Sequence, residues 1–489
     1  MGAKGKILLT GATGYIGGQL APRLLAKGYA VRAMVRTLPA EESRPWQDQV
    51  EFVEADPLRP ETLPAALRDI QTAFYLIHSL TGGPAFRERD ISAARRFGRA
   101  AKDAGVERII YLGGLGDDDA GLSEHLRSRH ESGDALREAG VPVTEFRAAI
   151  IVGSGSISFE MVRYLTERLP VMICPRWVFT KVQPIAIDDV LAYLITALEE
   201  PETAGQIIEI GGSDILTYGD MMTRYGQVRR LRRFLIRVPV LTPRLSSYWI
   251  HWVTPIRAAY ARPLIEGLRN EVIVRDDKAR RLMPEIRPVD YATAVQRALS
   301  KLSAEHCGQT PDHFGSRPEI STPTVECRGH EGMIIERRRL TAPAPAATVY
   351  RVISSLGGEK GWLCCNWLWR LRGWIDRVCG GPGLRRRRPQ RSRLREGDIV
   401  DCYRVEKAEE NRVLRFRIEM RLPGEGWLQF QVQPLEEERS ELALTVFFAP
   451  RGLAGLIYWH ALYPIHSLVF SRMLQRLARE AETSRCTPP

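Results

Sequence analysis

Three glycines at three-residue spacing, set between an apolar run and an amphipathic stretch, constrain this chain more than any other feature. The run is Lys6-Ile-Leu-Leu-Thr10, and Gly11-Ala12-Thr13-Gly14-Tyr15-Ile16-Gly17 follows it directly. A strand ending at Thr10 must turn sharply to feed a helix that begins near Tyr15. Gly11 permits the tight turn, Gly14 lets backbone approach a pyrophosphate with no Cβ in the way, and Gly17 lets the helix pack close to the strand. The free N–H groups and positive dipole end of the helix then face the phosphates. Gly11, Thr13, Gly14, Tyr15, Ile16 and Gly17 are therefore the expected cofactor-binding loop.

The second strand selects the dinucleotide. An acidic residue at its end would hold a ribose 2′-hydroxyl. Here Ala30–Val35 is followed by Arg36, with Arg32 inside the strand. An arginine at that place suits a 2′-phosphate by charge and bidentate geometry. NADP(H) is the expected cofactor; if Arg36 only faces solvent, NAD(H) would serve. Asp56, after the third strand, is placed to accept from an adenine amino group, or else simply starts a turn at Asp56-Pro57. His78 follows the apolar fourth strand, where strand ends line a ligand crevice.

Strand and helix patterns alternate through the first half. Thr72–Ile77, Arg108–Leu112 and Val143–Arg147 read as strands, and Phe86–Ala104 and Leu122–Ala139 as helices. That spacing predicts an α/β fold of Rossmann type, a doubly wound parallel sheet with helices on both faces. The first domain is expected to span 1–302, with a smaller substrate lobe over about 150–300. A Pro-, Gly-, Ser- and His-rich stretch at 303–333 reads as a linker, and a separate α+β domain follows over 334–485.

Charge is uneven along the chain. Of a net +12, the segment from Glu331 onward holds 27 basic and 18 acidic residues, a surplus of nine. Much of it sits in one run, residues 385–395, with seven arginines and no acid. Aromatics are not interleaved with these arginines as in an RNA-binding platform, so no nucleic acid is expected as partner. The eight cysteines form no CxxC pair and no zinc-type spacing, so no metal is expected and a cytoplasmic location is. Residues 453–470 carry no formal charge over 18 positions. They read as a long amphipathic helix or, with the arginine run, as a peripheral membrane contact.

The glycine loop, with Phe146–Gly153 and the turn Val182–Val190, resembles the extended and atypical short-chain dehydrogenase/reductases. The likeness is to NmrA-like proteins and the NADPH-binding subunit of respiratory complex I. It implies an NAD(P)(H)-dependent oxidoreductase. The family's usual chemistry uses a tyrosine, a lysine four residues on, and a serine from the fifth strand. This chain departs from that set. Aligning Ser128-Arg129 with the family's Ser-Lys puts His125 at the tyrosine and Arg129 at the lysine, and Leu112-Gly113-Gly114-Leu115 has no hydroxyl. His125 and Arg129 are the catalytic candidates, with His125 as proton donor. A cofactor-binding helix with no redox role is the alternative.

The last domain resembles a family of unknown function found behind such reductases and related to START-like (SRPBCC-type, helix-grip) ligand-cavity folds. The likeness rests on Thr341–Ile353, Gly357-Gly358, Asn366–Trp369, Leu371–Gly373, Gly397-Asp398, Pro423-Gly424 and the last helix. It implies an apolar pocket for a small apolar molecule. Trp362, Trp367, Trp369, Trp374, Trp427 and Trp459 either line it or fill a core. The expected function is reduction of an apolar carbonyl or quinone-like compound. The alternatives are a non-catalytic NADP(H) sensor or assembly protein, and a lipid- or membrane-surface-binding protein.

Overall fold

The glycine loop joins the first strand to the first helix of a seven-stranded parallel sheet. The strands are β1 (Lys6–Thr10), β2 (Ala30–Val35), β3 (Glu51–Glu54), β4 (Thr72–Tyr75), β5 (Arg108–Gly114) and β6 (Val143–Ala148), with a seventh from further along the chain. A computed structural model of the protein describes residues 5–38, 45–78, 86–117, 121–238, 266–300, 324–330, 332–384, 388–389 and 393–485. The chain divides into two units, Met1–Lys301 and Leu302–Pro489.

In the first unit, short strands β7 (Ile151–Val152), β8 (Val171–Pro175), β9 (Lys181–Val182) and β10 (Ile185–Ala186) precede the seventh sheet strand, β11 (Ile207–Ile210). β12 (Leu216–Thr217) and β13 (Phe234–Val238) follow it. The large sheet runs β11-β6-β5-β4-β1-β2-β3, every pair parallel. The order reverses between β1 and β4, the switch point where ligands of such sheets bind.

The helices are α1 (Tyr15–Ala26), α2 (Leu63–Leu67), α3 (Phe86–Asp103), α4 (Glu124–Arg137), α5 (Ile157–Arg168), α6 (Ile187–Thr196), α7 (Tyr218–Arg229), α8 (Lys278–Leu282) and α9 (Tyr291–Ser300). Alternate strand residues feed two cores, as strands buried on both faces require. Leu9, Phe74 and Ile110 pack with α1 and α6 on one face. Leu8, Tyr75 and Ile109 pack with α2 and α3 on the other. A third core, around Phe159, Met221 and Tyr225, holds the smaller lobe together.

The second unit is an antiparallel sheet of seven strands: β14 (Thr324–His330), β15 (Met333–Ala342), β16 (Ile399–Val400), β17 (Tyr403–Glu409), β18 (Val413–Ile418), β19 (Gly424–Glu436) and β20 (Arg439–Pro450). Its order is β14-β15-β20-β19-β18-β17-β16. Helices α10 (Ala346–Ser354), α11 (Asn366–Val378) and α12 (Gly452–Arg485) complete it. Residues 301–323 lie outside the described residues. Thr324–His330, inside the stretch expected to be a linker, is instead a strand that pairs along β15. It adds an edge strand to the sheet, a pairing no local composition announces.

Among the six tryptophans, Trp362, Trp369, Trp427 and Trp459 are buried. Trp362 packs on Tyr403 at 4.6 Å between ring centroids, and on Trp369 and Phe416. Trp367 and Trp374 instead point outward, 65 % and 63 % exposed. Most of the arginine run lies outside the described residues. Of those described, Arg388 donates to the carbonyl of Leu356 at 2.9 Å and to that of Ser354, closing the end of α10. Arg393 pairs with Glu410 at 3.1 Å. At least these two arginines serve the domain's own packing and pairing.

Candidate functional site

A cleft of about 290 Å³ opens at the carboxyl ends of β1, β4, β5 and β6. Gly11, Gly14, Tyr15, Ile16 and Gly17 form its floor on one side. Each glycine has the local reason the spacing implied. Gly11 sits at φ +66°, where side chains are strained, and a Cβ there would stand 2.9 Å from the Leu76 carbonyl oxygen. A Cβ on Gly17 would lie 2.8 Å from the Gly11 carbonyl carbon and 2.9 Å from Ala12 Cα, closer still to the Gly11 oxygen. Gly14 is exposed at the N-cap of α1, with extended φ and ψ of −76° and 178°. Its N–H donates to the Gly11 carbonyl at 2.9 Å, closing the turn. Thr13 is exposed beside it and does not line the cleft.

His78, His125 and Arg129 come together on the opposite wall. Ser123 caps α4, accepting from the Leu126 N–H at 3.4 Å, and so sets the first turn that carries His125. Arg129 donates to the Leu112 carbonyl, and its guanidinium carbon lies 5.5 Å from the Tyr111 ring centroid. The Tyr111 hydroxyl in turn donates to the Arg129 carbonyl at 2.8 Å. This ties α4 to the carboxyl end of β5. His130, not singled out by sequence, is buried and bonds the Gly114 carbonyl at 2.8 Å, a second tie.

Burial, and then the charge of Arg129, pushes the pKa of His125 down to about 4. The enclosing walls, with Arg129 and His125, also push His78 well below the usual imidazole range, although its ring stays accessible from within the cleft. Both rings are then neutral at pH 7. His125 as imidazolium donor, the role its position suggested, does not suit this environment. A neutral ring can still donate a hydrogen bond from one nitrogen. Sequence pattern missed the reason, because burial and the arginine one turn away act together only once α4 is docked.

The missing serine also has a steric side. A Cβ at Gly114 would stand 2.9 Å from Leu126 Cδ2, and one at Gly113 3.1 Å from Glu145 Oε1. Glu145 is fully buried, pairing with Arg147 at 2.8 Å and Arg137 at 2.6 Å. It fills the space behind the strand end.

Arg36 and Asp56 stand away from this cleft, at the ends of β2 and β3. Arg36 is exposed just beyond Val35. Arg32, by contrast, is buried and spent: it donates to the carbonyls of Ala66 at 3.0 Å and Arg68 at 2.7 Å, and pairs with Glu51 at 2.9 Å. Asp56 accepts from the Leu58 N–H at 2.9 Å, so one of its oxygens starts a turn as the turn reading of Asp56-Pro57 expects. The turn Val182–Val190 does not line the cleft. Gln183 donates to the Gly212 carbonyl at 2.7 Å and accepts from Val274 N–H at 2.9 Å, while Asp188 pairs with Arg23.

The rest of the wall was not legible in the sequence. Ala148, Ile150, Ile157, Met161, Leu268 and Val272 make the far side apolar, and Tyr218 closes it from the start of α7. A capping box of Thr217 and Asp220 fixes that helix start, which is the local signal that could have located Tyr218. Burial raises the Tyr218 pKa far above the ordinary phenol, so its hydroxyl stays protonated. Among the described residues no His, Cys, Asp and Glu group could hold a metal.

Residues 3–231 match the NmrA-like family model. The matched residues take in the parallel sheet, the cleft floor and the smaller lobe as far as α7. Residues 333–473 match a protein family of unknown function, DUF2867. A ceramide reductase of Caulobacter vibrioides is 26 % identical over 245 residues, 48 % of this chain and 74 % of that protein. The photosystem II assembly factor Ycf39 of Trieres chinensis is 24 % identical over 244 residues, 47 % of this chain and 74 % of the relative. The solved triphenylmethane reductase of Citrobacter sp. superimposes with a TM-score of 0.50 at 20 % identity, covering 60 % of this chain and 99 % of that one. At this identity the likeness is one of fold.

Proposed function

We propose that the NmrA-like domain is an NADP(H)-dependent reductase that passes hydride to an apolar carbonyl or quinone-like acceptor. The observation that carries this reading is the cleft itself. A phosphate-cradling glycine turn forms one side, and the ends of β4, β5 and β6 give an apolar wall beside it. A bound dihydronicotinamide would supply two electrons and a proton together as hydride. Gly14 and the first turn of α1 would face the pyrophosphate, Arg129 would stand near the ribose, and exposed Arg36 would meet a 2′-phosphate.

With both histidines neutral, the cleft offers no strong acid at pH 7. Such a site favours acceptors whose reduced form takes its proton from water, as quinones do, over ketones that need protonation at the moment of transfer. His125 then orients the acceptor oxygen by a hydrogen bond. A relative named as a ceramide reductase supports reduction chemistry. The C-terminal domain is read as a START-like, helix-grip fold; a sheet ordered β15-β20-β19-β18-β17-β16 with a long closing helix supports this. The experiment is a screen for steady NADPH oxidation over quinone and carbonyl acceptors. Turnover lost in Gly14→Asp supports the reading; NADPH binding with no turnover on any acceptor defeats it.

A second reading has its own observation. Gly113 and Gly114 stand where a catalytic hydroxyl would be, and a relative is named as an assembly factor. A cofactor-bound assembly protein without turnover fits both, and the same screen separates the two.

A further inference from the structure

We infer that the C-terminal domain docks on an anionic membrane surface through α11 and the first half of α12. This does not depend on the reductase reading. Trp367, Leu371, Trp374, Ile375 and Val378 of α11 are all exposed. Their spacing of four, three, one and three residues puts them on one stripe of the helix. The opposite side is pinned to the domain. Trp369, Gly373 and Asp376 are buried, and the Asp376 carboxylate accepts from the N–H groups of Gly383 and Arg421, each at 2.7 Å. The helix is therefore held by its inner side while showing two tryptophans to solvent. Such rings gain most at a lipid headgroup boundary, where an apolar body and a polar N–H are both satisfied.

Beside this stripe lies a second one. Leu453, Ile457, Ile465 and Leu468 of α12 are exposed. Two contacts bring the helices near each other: the Arg372 guanidinium lies 5.9 Å from the Tyr458 ring centroid, and Cys364, just ahead of α11, donates to the Val469 carbonyl at 3.3 Å. By length and composition α12 is apolar enough to cross a bilayer. Its packing argues for lying on the surface instead. Trp459 stacks on Phe448 at 5.4 Å, and Met473, Leu474 and Leu477 are core residues. Spanning would empty that core, whereas docking in the interface plane keeps it.

Charge selects the kind of surface. Exposed Arg370 and Arg377 flank the tryptophans, while the helix's one acid, Asp376, is buried. The sequence from Glu331 onward carries 27 basic against 18 acidic residues. Anionic headgroups complement this surplus.

The test is co-sedimentation of the full chain with phosphatidylcholine vesicles, with and without phosphatidylglycerol, at low and high salt. The wild type is expected to pellet with the anionic vesicles at low salt and to be released by salt. Trp367→Ala with Trp374→Ala should weaken partitioning about tenfold or more, from the apolar area removed. Arg370→Glu with Arg377→Glu should weaken it about fivefold per arginine. Both variants change exposed residues, so thermal melting should match the wild type. Quenching of wild-type fluorescence by brominated lipid gives a readout that needs no variant. No pelleting, variants that pellet like the wild type, or no quenching would overturn the proposal. So would tryptophan variants that change the oligomeric state by light scattering while leaving vesicle binding intact, since the surface would then serve a protein partner.

Discussion

Gly17 and Gly14 sit one helical turn apart, yet substitution should break different things. Alanine at Gly17 puts a Cβ 2.8 Å from one backbone carbon and 2.9 Å from another, both in the β1–α1 turn. Backbone cannot swing aside as a side-chain tip can, so α1 must lift from the sheet. Overpacking of this kind costs about 3 kcal/mol at the upper end of its range. Replacing a helical glycine returns about 1 kcal/mol of propensity. The clash wins by about 2 kcal/mol, which lowers the melting temperature by about 3 °C for a unit of this size.

Aspartate at Gly14 should do the reverse. The residue is the exposed N-cap of α1 in an ordinary extended conformation, and Asp is among the best N-caps. A Cβ there meets only the Gly11 oxygen, at 3.1 Å. The fold should hold, while a carboxylate in the pyrophosphate cradle removes cofactor binding. Thermal melting and calorimetric titration with NADPH read the two effects separately. If Gly17→Ala melts like the wild type, or Gly14→Asp binds NADPH as tightly as the wild type, the assignment of roles to these glycines is wrong.

Arg36→Glu should weaken NADPH binding about tenfold or more and leave NADH nearly unchanged, since a charged hydrogen bond of ~1.5–3 kcal/mol is lost only with the 2′-phosphate; equal loss for both cofactors refutes the contact. Glu145→Gln leaves Arg137 and Arg147 around a neutral group, and breaking such a buried pair should cost about 3 kcal/mol, measured by urea unfolding. His125 binds fewer protons folded, with its pKa down at about 4, than at its ordinary 6.5. Stability should therefore fall as pH drops from 6.5 towards 4, and His125→Phe should flatten part of that slope. Turnover should stay level between pH 6 and 8; a decline tracking an imidazolium near 7 would restore His125 as the acid.

What the sequence showed and what it hid divide along physical lines. Strand–helix alternation is a local signal, and Lys6–Thr10 and Ala30–Val35 form strands at those bounds. The glycine loop was legible because backbone geometry dictates it within seven residues. Roles that depend on what lies across the fold were not legible. Arg32 and Arg36 read alike in sequence, yet one is buried against the end of α2 and the other is free at the strand end. The hairpin of β16 and β17, with Asp401 at φ +55° in its turn, carries no glycine or proline to announce it. Helix α11 escaped notice because its solvent face carries tryptophans rather than polar residues, blurring the usual periodic contrast.

The most direct measurement is NADPH oxidation, followed by absorbance, with a soluble quinone as acceptor and the full chain as catalyst. A reductase built on this cleft predicts steady turnover, abolished in Gly14→Asp, impaired by Arg36→Glu when NADPH is the donor, and insensitive to pH between 6 and 8. NADPH that binds at Gly14 but is never oxidised by any acceptor would contradict it and leave a cofactor-holding assembly protein in its place.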